Sequence, residues 1–294
     1  MKQTLTDNLI LLIWVSLMAS SFVVSEQLLP FANPVASTGL RFILATLMMF
    51  ALVKGAPFKL LTRKILWHYS IISLCLVLFF LGLFEALKTT TAMKTSVIYT
   101  LLPLFSVVLA YLTLKVVTPP KLILAFIMGS VGAIWVLITF TQQAFSIEQW
   151  QHGDSIFLGA CCCLTMHVIL IKKWTADVPA RLGAFYIMLL GSILLLPFLL
   201  LFGDLSNIAW QQKEFWQTLL YLTVFTTMAT FMLQQYLLKK VGPNRLLAFT
   251  YLIPTLVVIP QGIENIYNLN SALPGILMTI LALYFISKKP TNRM

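Results

Sequence analysis

The chain has 294 residues, of which 60% are hydrophobic and only 10% are charged, and its mean hydropathy is +0.92. A soluble globular domain has roughly 45–50% apolar and about 25% charged residues, so this composition excludes that class. The net charge of +11 reflects 20 lysines and arginines against nine acidic residues. Because these cations flank apolar stretches and never run beyond two in a row, we expect anionic membrane lipid, and not nucleic acid, as their partner.

Ten apolar stretches follow one another along the chain, each long enough to cross a bilayer. They are Leu9–Ser25, Val35–Val53, His68–Leu87, Lys94–Leu114, Leu122–Phe140, Ser155–Ile171, Arg181–Leu201, Phe215–Leu238, Leu246–Gly262 and Ala272–Ser287. The sequence therefore predicts an all-α integral membrane protein with ten transmembrane helices.

The distribution of cations predicts the orientation of these helices. With the amino terminus in the cytoplasm, 16 of the 20 lysines and arginines fall on the cytoplasmic side and three on the outer side, while Arg41 lies within a span. Lysine and arginine are enriched in cytoplasmic loops. We therefore expect a multi-pass protein of a bacterial inner membrane with both termini in the cytoplasm.

A weak internal repeat relates the two halves of the chain at an offset of 151 residues. The matching positions are Leu87 with Leu238, Lys88 with Lys239, Lys94 with Arg245, Leu101 with Leu252, and Pro103 with Pro254. Because the copies are five spans apart, the second is inverted relative to the first, an architecture that recurs in secondary transporters. We predict one five-helix repeat over residues 1–140, a periplasmic linker over 141–152 and a second repeat over 153–294.

Short motifs in the first half resemble a known transporter family. They are Ser20–Phe22, Arg41–Phe42, Ala86–Lys88, Leu101–Phe105 and Gly129–Gly132. Their order resembles the repeat unit of the EamA family in the drug/metabolite transporter superfamily. The resemblance covers essentially the whole chain as two five-helix copies, and it implies export of amino acids or related small metabolites.

Three ionisable residues within the spans are candidates for substrate binding or gating. Arg41 lies near the middle of the second span, where a cation is costly unless it faces an interior partner, so it is either a substrate anchor or a structural cation. Glu85 is three residues before Lys88, a spacing that allows either a surface ion pair or a proton-coupling carboxylate. His167 can titrate near neutrality, whereas burial would keep it neutral and hydrogen-bonded.

Uncharged polar and aromatic side chains complete the candidate site. Tyr99, Gln234 and Tyr251 supply hydrogen-bonding groups within spans, and Trp14 either lines the pathway or packs in the core. The mid-span prolines Pro103 and Pro254 each remove a backbone hydrogen bond and are candidate hinges. Cys161, Cys162 and Cys163 are adjacent on one helix and cannot converge on one metal, so no metal site is predicted.

These features predict a secondary transporter, not an enzyme. The chain lacks a Gly-rich phosphate loop and the hydrolase motifs H-E-x-x-H and G-x-S-x-G, so no cofactor is expected and energy would come from a gradient, with protons as a candidate coupling ion. Uptake of a vitamin-like or nucleotide-related solute is the alternative transport function. A membrane-embedded enzyme or a structural subunit is the least favoured interpretation, because the acids and histidines are scattered and Arg41 lies within a span.

Overall fold

The structure, a computed structural model, describes residues 2–53, 62–86, 88–90, 92–141, 150–262 and 266–287. Every regular element in these ranges is helical, and they contain no β-strand. The all-α fold class is therefore confirmed. Most of the predicted linker 141–152 and the carboxyl-terminal tail lie outside the described residues.

Thirteen α-helices occur in the described residues and are numbered here in chain order. They are α1 (Lys2–Leu28), α2 (Pro34–Leu52), α3 (Arg63–Ala86), α4 (Ala92–Tyr99), α5 (Leu102–Leu114), α6 (Pro120–Thr141), α7 (His152–Trp174), α8 (Ala180–Phe202), α9 (Lys213–Tyr221), α10 (Thr230–Val241), α11 (Pro243–Ala248), α12 (Leu252–Gly262) and α13 (Ile266–Ser287). A 3₁₀ turn, Leu205–Asn207, follows α8. A π-helical segment, Leu222–Ala229, joins α9 to α10, and a 3₁₀ turn, Phe249–Tyr251, joins α11 to α12.

Eight segments of the described chain are long and apolar enough to span a membrane. They are Thr6–Ser25, Pro34–Leu52, Arg63–Ala86, Val97–Leu114, Pro120–Thr139, His152–Trp174, Ala180–Phe202 and Asn270–Ser287. Each overlaps a stretch that the sequence predicts. The other two predicted stretches, Phe215–Leu238 and Leu246–Gly262, are divided among shorter helical elements, so neither forms one continuous α-helix.

Two of the helical paths are broken just before a proline. Between α4 and α5 the chain turns at Thr100 and Leu101, and Pro103 lies in the first turn of α5. Between α11 and α12 it tightens into the 3₁₀ turn, and Pro254 lies in the first turn of α12. Proline lacks the N–H that a helix interior requires but fits a first helical turn, so each break has a local cause.

Contacts between helix termini define two ends of the molecule. At one end His68 near the start of α3 stacks on Trp174 at the end of α7, with ring centroids 4.5 Å apart. Lys172 on α7 donates to the carbonyl oxygen of Lys239 on α10, and Arg245 joins α11 to the beginning of α1. We call this end, where α1, α3 and α8 begin and α7 and α10 finish, the basic end.

The opposite end is joined by a separate set of polar contacts. Asn33 caps α2 by accepting from the Ala36 N–H at 2.8 Å, and its amide donates to the carbonyl oxygen of Phe202 at the end of α8, at 2.9 Å. The Thr90 hydroxyl donates to Asp154 at the start of α7. The helix termini that would otherwise expose polar backbone groups are thus tied together on this side too.

Small residues allow the helices to approach closely. A Cβ atom built on Gly132 of α6 would lie 2.7 Å from the carbonyl oxygen of Gly275 on α13, and one on Gly275 would lie 2.7 Å from the carbonyl oxygen of Gly132. Likewise, a Cβ on Gly82 of α3 would lie 2.8 Å from that of Ala160 on α7. Because lipid is as apolar as the helix surfaces, the hydrophobic effect does not drive helices together in the membrane, and such close backbone packing supplies much of their association free energy.

Candidate functional site

Arg41 connects α2 to the π-helical segment. Its Nε donates to the Thr227 hydroxyl at 3.2 Å, and its Nη2 donates to the hydroxyls of Thr226 and Thr227 at 3.1 and 3.0 Å. The structure places no carboxylate within ion-pair distance of Arg41 among the residues it describes. The partly buried guanidinium is therefore held by neutral oxygens alone.

The π-helical segment orients these two threonine hydroxyls. Thr226 donates its own hydrogen to the carbonyl oxygen of Leu222 at 2.9 Å, so its oxygen lone pairs remain available to accept from Arg41. Thr230 makes the same kind of bond to the carbonyl oxygen of Thr226 at 2.7 Å. Threonine hydroxyls that bond back to the preceding turn satisfy the polar side chain locally and often bend a helix, and π-helical turns often occur at functional sites.

His167 and Gln234 form a second, fully enclosed contact. The Nδ1 atom of His167 lies 2.9 Å from the carbonyl oxygen of Ile72 on α3, and its Nε2 atom lies 3.3 Å from Nε2 of Gln234 on α10. A carbonyl can only accept, so Nδ1 carries the hydrogen and Nε2 accepts from the glutamine amide. This assignment gives a neutral imidazole that links α3, α7 and α10.

Tyr251 is part of a third contact, at the break between α11 and α12. Its hydroxyl donates to the carbonyl oxygen of Phe126 at 2.8 Å and lies 3.1 Å from the Ser130 hydroxyl. Ser130 in turn bonds the carbonyl oxygen of Thr100, at the break between α4 and α5, at 3.2 Å. One serine of α6 thus bridges both helix breaks, and Tyr99 is buried beside the first of them.

Trp14 and Glu85 lie in contrasting surroundings. Trp14 is 2% exposed, and its indole N–H has no hydrogen-bond partner in the described part of the chain. Glu85 forms an ion pair with Lys88 at 2.6 Å, with both side chains more than half exposed. The pair lines a cavity of 760 Å³ at the opposite end, between α2, α3 and α8, whose other walls are mainly apolar and include Phe84 and Phe198.

The candidate residues therefore occupy several distinct contacts. Arg41 contacts the π-helical segment, His167 pairs with Gln234, and Tyr251 bonds to α6. The cavity at the opposite end is lined by Glu85 but by no other candidate residue. Among the described residues no three His, Cys, Asp or Glu side chains are grouped so that they could hold a metal ion.

A set of contacts at the basic end was not predicted from the sequence. The Lys239 ammonium donates to the carbonyl oxygens of Ala176, at 2.8 Å, and Val178, in the turn between α7 and α8. Burial is the main effect on the pKa of Lys239 and lowers it, while Asp177 opposes this shift. In the same region Arg245 donates to the side-chain oxygen of Asn8 at 2.6 Å, which joins the second half of the chain to the first.

Asp154 is a further residue whose role was not predicted from the sequence. Its side chain is fully buried, accepts from the backbone N–H of Gln151 at 2.8 Å and accepts from the Thr90 hydroxyl. The first bond belongs to a capping box at the start of α7. The pattern Gln-x-x-Asp is a weak form of the usual capping-box signature, which explains why it gave no clear signal.

Comparison with known proteins identifies the family. A model of the EamA-like transporter family matches the chain twice, over residues 6–138 and 151–288. The uncharacterized transporter YetK of Bacillus subtilis is 21% identical over 253 residues, which cover 84% of this chain and 76% of YetK. An uncharacterized transporter of Archaeoglobus fulgidus is 24% identical and covers 98% of both chains.

The fold is also found in a solved structure. One crystal structure superposes with a TM-score of 0.77 at 16% sequence identity and covers 97% of this chain and 99% of its own. At that identity the likeness concerns the fold alone. The two family matches together cover most of the sequence, and the chain belongs to the EamA-like transporter family of the drug/metabolite transporter superfamily.

Proposed function

We propose that this protein is a secondary transporter of a bacterial inner membrane that exports amino acids or related small metabolites. The transporter family is established by the sequence match, while the substrate and the direction are our proposal. The observation that carries it is Arg41, a cation within α2 whose partners are two neutral threonine hydroxyls. Such a guanidinium keeps a charge that no described carboxylate compensates, and its Nη1 can donate to a substrate carboxylate while Nε and Nη2 bond to the threonines.

The proposed architecture is ten spans arranged as two inverted five-helix repeats. In this proposal α4 with α5 forms the fourth span, α9 to α10 the eighth, and α11 to α12 the ninth. Three facts support it: the helix breaks recur at the offset of 151 residues, the family model matches twice, and both prolines follow a break. With five spans in each copy, both termini would lie on the same side of the membrane, and the distribution of lysine and arginine favours the cytoplasmic side.

The helix packing supports the same architecture. α3 packs on α7 and α8, and the elements from α9 to α10 pack on α1 and α2, as expected if the third span corresponds to the eighth. The helices α2 and α8 would then be the two copies of one span, as would α6 and α13. Each of these two pairs is in contact, as expected if it lies on the repeat axis. Substrate sites of inverted-repeat transporters lie near such an axis.

The proposed substrate site lies between the halves, with Tyr99, Gln234 and Tyr251 as polar contacts and Arg41 as the anion anchor. Pro103 and Pro254 would act as hinges as the site changes sides. The Ser130 bridge between the two breaks supports this, because a movement of either break alters the same hydroxyl contact.

Transport by Arg41 variants tests the proposal. Wild type and Arg41→Gln are reconstituted in proteoliposomes and assayed with pooled labelled amino acids and metabolites, with and without a proton gradient. We expect Arg41→Gln to lose carboxylate transport while it still inserts, since removal of a mid-span cation eases insertion. Arg181→Gln, at an exposed arginine of α8, is the matched control and should retain transport.

Two results would reject this function. Unchanged kinetics in Arg41→Gln would show that the guanidinium is only structural. No movement of any carboxylate-bearing solute by wild type, with correct insertion, would reject the substrate class itself.

A further inference from the structure

Two adjacent glutamines on α10 have opposite hydrogen-bonding states. Gln234 pairs with His167 at 3.3 Å. Gln235 is 1% exposed, and neither its side-chain nitrogen nor its oxygen has a hydrogen-bond partner in the part of the chain that the structure describes. A buried amide that leaves both groups unsatisfied is destabilising, so its presence calls for an explanation.

Tyr69 of α3 is a second unsatisfied polar group at the same place. Its side chain is also 1% exposed, and its hydroxyl has no hydrogen-bond partner of acceptable geometry among the described residues. Thr175 lies near this hydroxyl but outside hydrogen-bond geometry, and its own hydrogen is donated to the carbonyl oxygen of Ile171 at 2.7 Å. The Tyr69 ring is fixed by an edge contact with Tyr186, with centroids 5.3 Å apart.

Gly183 in the first turn of α8 brings these two groups together. A Cβ atom built there would lie 2.7 Å from the Tyr69 hydroxyl and 3.0 Å from Oε1 of Gln235. Both side chains thus pack directly on the bare backbone of α8, and the absence of a side chain at Gly183 is what permits it. Three helices, α3, α8 and α10, converge on an unsatisfied polar cluster close to the basic end.

Lys239 lies on α10 one helical turn beyond this cluster. It lies four residues after Gln235, so the two side chains share one face of α10. Its ammonium donates to the carbonyl oxygens of Ala176 and Val178, in the turn just beyond the cluster. Release of these two bonds would loosen the contact between α10 and the α7–α8 turn on the face that carries Gln235, although Lys172 of α7 would still donate to the carbonyl oxygen of Lys239.

We propose that Tyr69 and Gln235 form a further polar binding site for the transported solute, closed in this conformation and opened from the basic end. This inference rests on the proposed transport function. The phenol and the amide can each donate and accept hydrogen bonds, and among the described residues neither is hydrogen-bonded to a charged group. The site therefore takes an uncharged hydroxyl or amide group, because a buried charge would lack compensation there.

Thermal stability and transport must then change in opposite directions in Gln235→Leu and Tyr69→Phe. Each removes an unsatisfied group from the closed state, so we expect the apparent Tm in detergent to rise by at least about 2 °C. Transport of amide- or hydroxyl-bearing solutes should show a higher KM. A fall in Tm would overturn the proposal, because it would mean that the groups are satisfied structural contacts. An unchanged KM would also overturn it.

Cysteine accessibility tests the closed site without any substrate. In a background with the four native cysteines replaced by alanine, Gln235→Cys is exposed to a small polar thiol reagent from the basic end. We expect no labelling with Lys239 present and labelling after Lys239→Met. Leu237→Cys, buried on another face of α10, is the matched control and should stay unlabelled in both backgrounds.

The two assays separate failure of this inference from failure of the proposed function. Equal labelling of Gln235→Cys with and without Lys239→Met would overturn the closed site, whatever the protein transports. If wild type moves no solute while the stability and labelling results are as expected, the transport proposal fails and the assignment of this cluster to a solute fails with it.

Discussion

Replacement of Gly129 by alanine should destabilise the protein through a clash with Tyr251. A Cβ atom at this position would lie 2.5 Å from both Cδ2 and Cε2 of the Tyr251 ring. The ring is fully buried, and its hydroxyl is bonded to the carbonyl oxygen of Phe126 at 2.8 Å. It can therefore move away from the new methyl group only by giving up that bond.

The magnitude follows from three opposing effects. Overpacking of a buried site costs about 1–3 kcal/mol, and loss of a hydrogen bond costs about 0.5–1.5 kcal/mol. The higher helix propensity of alanine offsets up to about 1 kcal/mol of this destabilisation. We expect a net loss of about 2 kcal/mol, or a fall in Tm of roughly 4–8 °C.

The chain supplies a matched control at Gly159 of α7. A Cβ atom there would meet no atom within 4 Å, so Gly159→Ala should be neutral or slightly stabilising. Both variants are compared by thermal unfolding in the same detergent. In a Tyr251→Leu background, where the ring is gone, Gly129→Ala should become nearly neutral. Equal Tm values for the two glycine variants, or an undiminished effect in the Tyr251→Leu background, would refute the steric argument.

Two further predictions concern topology and the contact between halves. A reporter that works only in the cytoplasm should be active when it is fused after Met294, whereas a reporter that works only in the periplasm should be inactive there. The opposite result would contradict the orientation and the inverted repeat. Arg245→Ala and Asn8→Ala should each lower the free energy of unfolding by about 1.5–3 kcal/mol, as expected for a hydrogen bond to a charged group. A double-mutant cycle measures their coupling, and strictly additive losses would show that the 2.6 Å contact contributes nothing.

Hydropathy predicted the helical segments well because a membrane span is defined by a long run of apolar side chains. Eight predicted spans overlap candidate spans of the structure. The π-helical segment Leu222–Ala229 escaped prediction because its side chains are those of an ordinary helix and only its backbone hydrogen bonds differ. The breaks before Pro103 and Pro254 were partly foreseeable, since proline itself marks them.

Side-chain partners were much less predictable than spans. The sequence singled out Arg41 because a charge within a span is rare, but its partners Thr226 and Thr227 are 185 and 186 residues away. Nothing in the local pattern distinguishes those threonines from others. The same holds for Tyr69 and Gln235, whose unsatisfied groups become visible only when three helices are assembled.

The reciprocal approach of Gly132 and Gly275 has a consequence for how the chain could be divided. The backbone at each glycine packs against the carbonyl oxygen of the other. This contact between α6 and α13 depends on their complementary shapes and does not require that a continuous peptide chain connect them. The pairs α3 with α7 and α2 with α8 add further contacts between the two family-matched segments. If the gene is divided within codons 142–149 and the two fragments are translated separately, they should therefore associate in the membrane. Gly132→Val or Gly275→Val should prevent this association.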